Sequence, residues 1–402
     1  MGSGKSAKIF LNMKYLKVRL ELNNKQRTLA LQHCGVARHA WNWGLSLCKE
    51  YLDQKIHIPN SIELHKLLVR DVKTENLWYY DVSKCSPQQS LRNLTTAFNK
   101  YFKHLSAFPK YKKKGIKDSF YLDGCIRSNG KNIKLPIFGW LKCSEILPDC
   151  VIKNVYITRT ANDWFVSFSV PLEPYQNCTE LGSAVGVDLG LKTLATLSSG
   201  VVFKNEKPYK KAIRKLRIAQ RLMTKKYVKG ADKQSNNYKK SALKVAKIHQ
   251  KVANIRKDSI HKLTHYLSKN HAQIVIEDLN IKGLIKNRKL SNAILDAGFY
   301  EFRRQLEYKC KWYGSILTIV DRFYPSSKTC SNCGNIKINL KLTERIYKCN
   351  ICNLHLDRDL NAAINLRKMA VNHTVSACGA SKKSDNLFVR DAVKQEVNLN
   401  NL

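Results

Sequence analysis

The 402-residue chain carries 71 Lys+Arg against 30 Asp+Glu, a formal net charge of +41. Solubility does not require that excess, and a polyanion partner, nucleic acid above all, is its natural reason. No apolar run reaches the roughly 18 residues of a membrane span and no secretory h-region is visible; the thirteen cysteines, mostly scattered singly among apolar residues, read as those of a reduced, cytosolic protein, so a cytoplasmic, nucleoid-associated location is expected.

Gly4-Lys5-Ser6 ends like a phosphate-binding loop, and Met1-Gly2 to Ser6 fits a myristoylation pattern, but the glycine and strand that the first needs are missing. Tyr15 to Leu22 alternates as a strand. A helix is expected from Lys25 to Leu52, with Leu29, Val36, His39, Ala40, Trp43 and Leu47 on its inner face and Trp41, Trp43 and Tyr51 in the core. Further helices follow over Ser61 to Val72 and Pro87 to Leu105. Phe108-Pro109-Lys110-Tyr111-Lys112-Lys113-Lys114-Gly115 reads as a solvated charge run or as aromatics and lysines suited to a nucleic-acid backbone. From Ser119 to Pro171 short strands take over (Phe120 to Leu122, Ile133 to Leu135, Val151 to Thr158, Trp164 to Val170), a small antiparallel barrel closed by the first strand, with the helical block of about residues 25 to 105 inserted into it.

The second half alternates strand and helix. Val185, Val187 and Leu189 alternate with Gly186, Asp188 and Gly190, and Leu194 to Leu197 returns after a turn. Asp188 therefore stands near the end of an apolar strand, as a turn aspartate or as a metal ligand. Lys207 to Leu267 forms two long helices that break near Gly230; from Lys204 to Lys262 there are twenty Lys or Arg and three acids, a candidate phosphate-contacting face. Gln273 to Asn280 is a strand that ends on Glu277-Asp278, Leu295 to Trp312 a helix, and Ile316 to Val320 a strand. The order implies an α/β fold around a mixed sheet. Residues 371–402 read as a mobile tail.

Cys330-Ser331-Asn332-Cys333 and Cys349-Asn350-Ile351-Cys352 are two CxxC pairs fifteen residues apart. That spacing is the pattern of one structural, four-cysteine Zn²⁺ site. Asp359 follows at the start of a helix, where a carboxylate caps free N–H groups or binds metal. Strand ends in an α/β sheet converge. Asp188, Glu277 and Asp359 together would suit two hard cations, Mg²⁺ or Mn²⁺, in phosphodiester hydrolysis.

The segments GVDLGLKT, IVIEDLN, YPSSKTCSNCG and LDRDLNAAINL resemble, in order and context, those of the TnpB family of transposon-encoded proteins, relatives of the type V CRISPR effector nucleases. The resemblance runs from about Tyr15 to Lys368. It implies a RuvC-like domain of RNase H-type fold in which Asp188, Glu277 and Asp359 are catalytic. It also implies a guide RNA from the transposon end, and cleavage of double-stranded DNA beside a short adjacent motif to leave 5′-phosphate and 3′-hydroxyl ends. On that reading, residues 1–24 hold a leader and the first wedge strand, 25–115 a helical recognition domain and 116–180 the wedge β-barrel. Residues 181–326 hold the first part of the RuvC-like domain, 327–353 a zinc ribbon and 354–370 the last part. Lys84 and Gln88 match a family helix that reads the adjacent motif; glutamine pairs bidentately with adenine, and lysine reaches a guanine edge or a phosphate. A nuclease-inactive RNA-guided DNA-binding protein, and a DNA-joining transposase, are the alternatives.

Overall fold

The computed structural model describes residues 13–171, 184–231, 233–341 and 343–376; the Gly4-Lys5-Ser6 segment and residues 377–402 of the expected tail lie outside them. The chain divides into two compact units, Met1–Glu173 and Pro174–Leu402.

The first unit opens with β1 (Met13–Glu21) and α1 (Asn24–Asp53), whose start is fixed by a capping box between Asn23 and Gln26. Then come α2 (Ser61–Leu67), continued by one π-helical turn, and α3 (Cys85–Phe102). The strands β2 (Ser119–Asn129), β3 (Asn132–Leu135), β4 (Gly139–Cys143), β5 (Ile152–Thr160) and β6 (Asp163–Pro171) close with β1 into a six-stranded barrel, ordered β1-β4-β3-β2-β5-β6. The first strand does close the barrel, and the helices do lie between β1 and β2. Strand β4 was not expected, because Gly139 and the exposed Trp140 blur its alternation.

The expected inner face of α1 is found in large part: Val36 and Ala40 are buried, Leu29, Trp43 and Leu47 pack half-buried against the cores, and only His39 of the six is exposed. The buried positions of α1 include Ala30, Cys34 and Ala37, which join the barrel core, and Ala40, Trp41, Leu45 and Cys48, which join the core with α2 and α3. His39 is exposed, and Trp43 and Tyr51 are half-buried. A helix shared by two cores carries two short stripes, wider together than one periodic face. The charge run 108–115 is neither free nor merely solvated: Trp41 Nε1 donates to the Lys110 carbonyl at 3.0 Å, and the Asn42 amide exchanges two bonds with the Lys112 main chain at 3.0 and 2.8 Å.

The second unit is built on a mixed sheet ordered β11-β10-β7-β8-β9. Strands β7 (Val185–Leu189), β8 (Thr193–Leu197) and β9 (Val202–Lys204) form an antiparallel meander. Then come α4 (Pro208–Thr224), α5 (Asn236–Asn270), β10 (Gln273–Glu277), α6 (Ile281–Lys286), α7 (Ser291–Ala297), α8 (Phe299–Tyr313) and β11 (Ile316–Val320). Strand β10 runs parallel to both β7 and β11. The single helix expected from Leu295 to Trp312 is two, divided at Gly298 with φ 74°. A short hairpin, β12 (Ile346–Lys348) with β13 (His355–Asp357), leads into α9 (Arg358–Ser376). Helix α9 thus runs past residue 371, where the tail was expected to begin.

His33 is fully buried beneath the barrel helices, where Nδ1 bonds the Leu29 carbonyl at 2.8 Å and Nε2 accepts from Ser83 N–H at 3.1 Å. Burial lowers its pKa from 6.5 to about 4. A histidine held neutral in the fold binds its proton only on unfolding, so stability present above pH 6.5 is lost as the pH falls. Between pH 6.5 and 5 the loss is about 2 kcal/mol. Thermal melts of His33→Gln, which cannot titrate, should fall less than wild type between pH 7 and 5; parallel falls would assign the acid sensitivity elsewhere.

Candidate active site

Strand β7 and helix α9 meet at a glycine. A Cβ placed on Gly186 would lie 2.0 Å from the Ala363 carbonyl oxygen and 2.5 Å from Arg367 N, so only glycine lets the helix backbone lie on the strand. Ala362, Ala363, Leu366 and Ala370 are the buried side of that helix. From Gly186, two residues along the strand advance about 6.7 Å to Asp188. From Ala363, four residues back along the helix retreat about 6 Å to Asp359. The two carboxylates are thereby brought to one place.

Glu277 joins them through the sheet. Parallel register pairs Ile274 with Val185 and Ile276 with Val187, so Asp188 and Glu277 are the next residues along adjacent strands, on one face at their C-terminal edge. Burial first, then the charges of Asp359 and Glu277, push the Asp188 carboxyl well above its ordinary value. The three acids thus lie near enough to repel one another, while among the described residues only the four cysteines below have their ligand atoms within 4.8 Å of one another.

Two neighbouring acids are already committed. Asp278 is held by Arg303 and Arg322, each at 2.5 Å, and hydrogen bonds from them lower its pKa. Asp357 Oδ1 accepts from the N–H groups of Asp359 and Leu360 at 2.9 and 3.1 Å and so caps α9. The capping role open to Asp359 in the sequence belongs to Asp357.

The sulfurs of Cys330, Cys333, Cys349 and Cys352 lie within 4.8 Å of one another, with Cys330–Cys352 and Cys333–Cys349 at 3.5 Å. Tetrahedral thiolates around Zn²⁺ at 2.3 Å stand about 3.8 Å apart, so the set fits that ion. Each pair sits in a tight turn: Gly334 N–H donates to the Cys330 carbonyl at 3.0 Å, and Cys349 N–H to that of Leu354 at 2.9 Å. Tyr347, fully buried, bonds the carbonyls of Lys328 and Asn335 and fills the space behind them.

Two residues that sequence reasoning passed over join this cluster to α9. Asn361 accepts from Ser331 N–H at 2.9 Å and donates to the Thr329 carbonyl at 2.7 Å. Asn365 donates to the carbonyls of Ser326 and Thr329 at 2.8 and 2.7 Å. Both are essentially inaccessible to solvent. Polar residues on the buried side of an alanine-rich helix were the available signal.

Of the remaining predicted residues, Lys84 stands exposed at the start of α3 and Gln88 half-buried one turn on, in the first unit. In the second unit, the α4–α5 hairpin holds a groove of about 810 Å³ with Lys211, Lys215, Lys244 and Lys247 around Ile218 and Leu222. No helix among the described residues is long and apolar enough to cross a membrane.

Against known proteins, residues 167–288 match the family model of a probable transposase, OrfB_IS605, and 299–366 the Cas12f1-like TNB domain. Residues 13–57 match a model described as a helix-turn-helix domain, although here they form one strand and one unbroken helix. The chain is 32% identical to the putative RNA-guided DNA endonuclease InsQ of Escherichia coli, over 92% of this chain and 94% of that protein. It is 37% identical to a putative RNA-guided DNA endonuclease of Streptomyces pristinaespiralis, over 81% of each. A TnpB-like protein of Acanthamoeba polyphaga mimivirus matches at 28% over 58% of this chain and 46% of its own length. The fold and its converging acids suit a transposon-type nucleic-acid enzyme, and the comparisons narrow that class. The chain belongs to the TnpB family.

Two outcomes follow for the site. Asp188→Asn removes one of three repelling charges, so without divalent cations it should melt about 2–4 °C above wild type, the shift of ~1 kcal/mol in a domain of this size. Mg²⁺ or Mn²⁺ should then raise the wild-type Tm and leave the variant's unchanged; an identical metal response in both would remove Asp188 from the metal set. Asn361→Leu takes the partner from the half-buried Ser331 N–H, at about 0.5–1.5 kcal/mol. Hydrogen exchange at Ser331 should quicken, and unaltered protection would mean that the clamp lies elsewhere.

Proposed function

We propose that this protein is a transposon-encoded, RNA-guided DNA endonuclease that cuts double-stranded DNA next to a short adjacent motif. One observation carries the reading: in a member of this family, a strand end, its parallel neighbour and a helix start bring Asp188, Glu277 and Asp359 together while Asp278 and Asp357 are engaged elsewhere. The second unit is then RuvC-like, with an RNase H-type sheet and a zinc ribbon at residues 327–353, and the barrel and helices of the first unit are the wedge and recognition domains.

Asp188, Glu277 and Asp359 would hold two Mg²⁺ ions, with Mn²⁺ as a substitute, which when bound lower the pKa of water and stabilise the leaving oxygen. The protein's own part is placement. The β7–β10 register sets Asp188 beside Glu277, and the α9 contact sets Asp359. Cys330, Cys333, Cys349 and Cys352 would bind one structural Zn²⁺, anchoring the segment seven residues ahead of Asp359. The cationic α4–α5 groove suits the phosphates of a guide RNA from the transposon end or of its hybrid with the target strand, held by shape and charge. Lys84 and Gln88 are proposed to contact the adjacent motif. The site of action is the nucleoid.

The protein purified with its RNA should cut a matched DNA duplex in the presence of Mg²⁺. Asp188→Ala, Glu277→Ala and Asp359→Ala should each lose more than the 10–100-fold typical of a residue that merely supports a metal ligand. Cys349→Ser should lose zinc by elemental analysis, and cleavage with it, while keeping RNA. Wild-type cutting by any of the three carboxylate variants would overturn the site.

A further inference from the structure

The tract 108–115, with its alternating aromatics and lysines, has no part in the chemistry above. Its Tyr111 lines a pocket of about 670 Å³ along α1, whose other walls include His39, Trp43, Trp78 and Asp81. The pocket lies wholly within the first unit. We propose that it takes a single unpaired nucleobase from a single-stranded stretch of nucleic acid.

The wall is fixed before any ligand arrives. Trp41 and Asn42 clip the tract's main chain to α1, and Tyr111 Oη meets Ser46 Oγ at 3.1 Å. Across from these bonds, Tyr79 stacks on the Trp78 indole at 4.5 Å, and Tyr79 Oη bonds His39 Nδ1 at 2.8 Å. The Trp78 N–H is already given to Asn76 Oδ1 at 3.1 Å, so what Trp78 leaves open, 40% of its surface, is mostly ring. Tyr111 is likewise 46% exposed. Open, prepositioned aromatic rings in a chain of net charge +41 are what single-strand-binding proteins use to stack bases.

Charge decides which part of a nucleotide enters. Two charged residues line the pocket: Arg38 is paired with Asp118 at 3.7 Å, which leaves Asp81 to disfavour a phosphate inside and to offer an acceptor to the amino or imino edge of a base. Further cations lie around it: Lys49 Nζ is 4.6 Å from the Tyr111 ring centre, Lys112 Nζ 3.9 Å from that of Trp41, and Lys113 and Lys114 follow in the tract. A base inside with its phosphates against lysines outside satisfies both. A paired base cannot enter, because its edge and both faces are covered in a duplex.

The inference rests on the reading of this chain as a nucleic-acid-binding nuclease, and the test separates the two. The full chain, freed of co-purified RNA by high salt, is irradiated with single-stranded RNA and, in a second arm, single-stranded DNA in which uracil or thymine is replaced by 5-iodouracil. Crosslinks should map to Trp43, Trp78, Tyr111 or His39 and vanish when a complementary strand pairs the base; the arm that reacts identifies the strand. Trp78→Ala should weaken single-strand binding about five-fold or more and leave duplex binding unchanged, with Trp78→Phe restoring it. If the wild-type chain binds RNA or DNA but crosslinks only elsewhere, or if Trp78→Ala weakens single strand and duplex alike, the pocket assignment is wrong. If it binds neither, the nuclease reading fails as well.

Discussion

The contact between the α9 backbone and Gly186 is the constraint on which the second unit depends. A sheet and a helix pack at a distance set by the side chains between them. Here one residue has no side chain, and the Ala363 carbonyl occupies its place. That approach fixes the axial position of α9, and hence where its first turn falls on β7. It also explains the alanines: any larger residue at 362 or 363, both buried, would lift the helix from the strand. Asp359 reaches Asp188 as a consequence of packing, not of attraction between the two, which repel.

That repulsion accounts for the disposition of the surrounding charges. Five acids lie at or beside the strand ends and the helix start, and an undivided cluster of five would be far costlier than three. Two guanidinium groups neutralise Asp278, and the α9 N-terminus engages Asp357. Asp188, Asp359 and Glu277 thus stand apart from the larger gathering of cations on the α4–α5 groove, although Arg358 acts on Asp188. Separation of this kind suits a polyanion that must be bound along its length yet approached by cations at one point.

Much of this was legible in the sequence because it is local. Strand periods, the CxxC pairs and the glycines flanking Asp188 are all readable within a few residues. The rest depends on partners distant in the chain. The buried surface of α1 is wider than one periodic stripe because the helix serves two cores, with Ala30 in one and Leu45 in the other. Trp43 packs half-buried against the core with α2 and α3, and it also lines a pocket whose other wall lies more than sixty residues away, at Tyr111. Choosing between Asp357 and Asp359 as the cap needed the helix start itself, since both precede the same apolar run.

The asparagines complete the physical connection between the two clusters. A helix that rests on glycine and alanine has shallow side-chain interlocking and resists sliding poorly. Asn361 and Asn365 supply directional bonds where dispersion contacts are few, joining α9 to the carbonyls and N–H of residues 326 to 331. Those residues run directly into Cys330, so whatever holds the four sulfurs also holds the frame against which α9 is pinned. Gly186 sets how close the helix lies, the asparagines set its position along the strand, and the cysteine cluster sets the asparagines' partners. Remove the last and the first still packs, but α9 has lost its stop, and with it the fixed placement of Asp359.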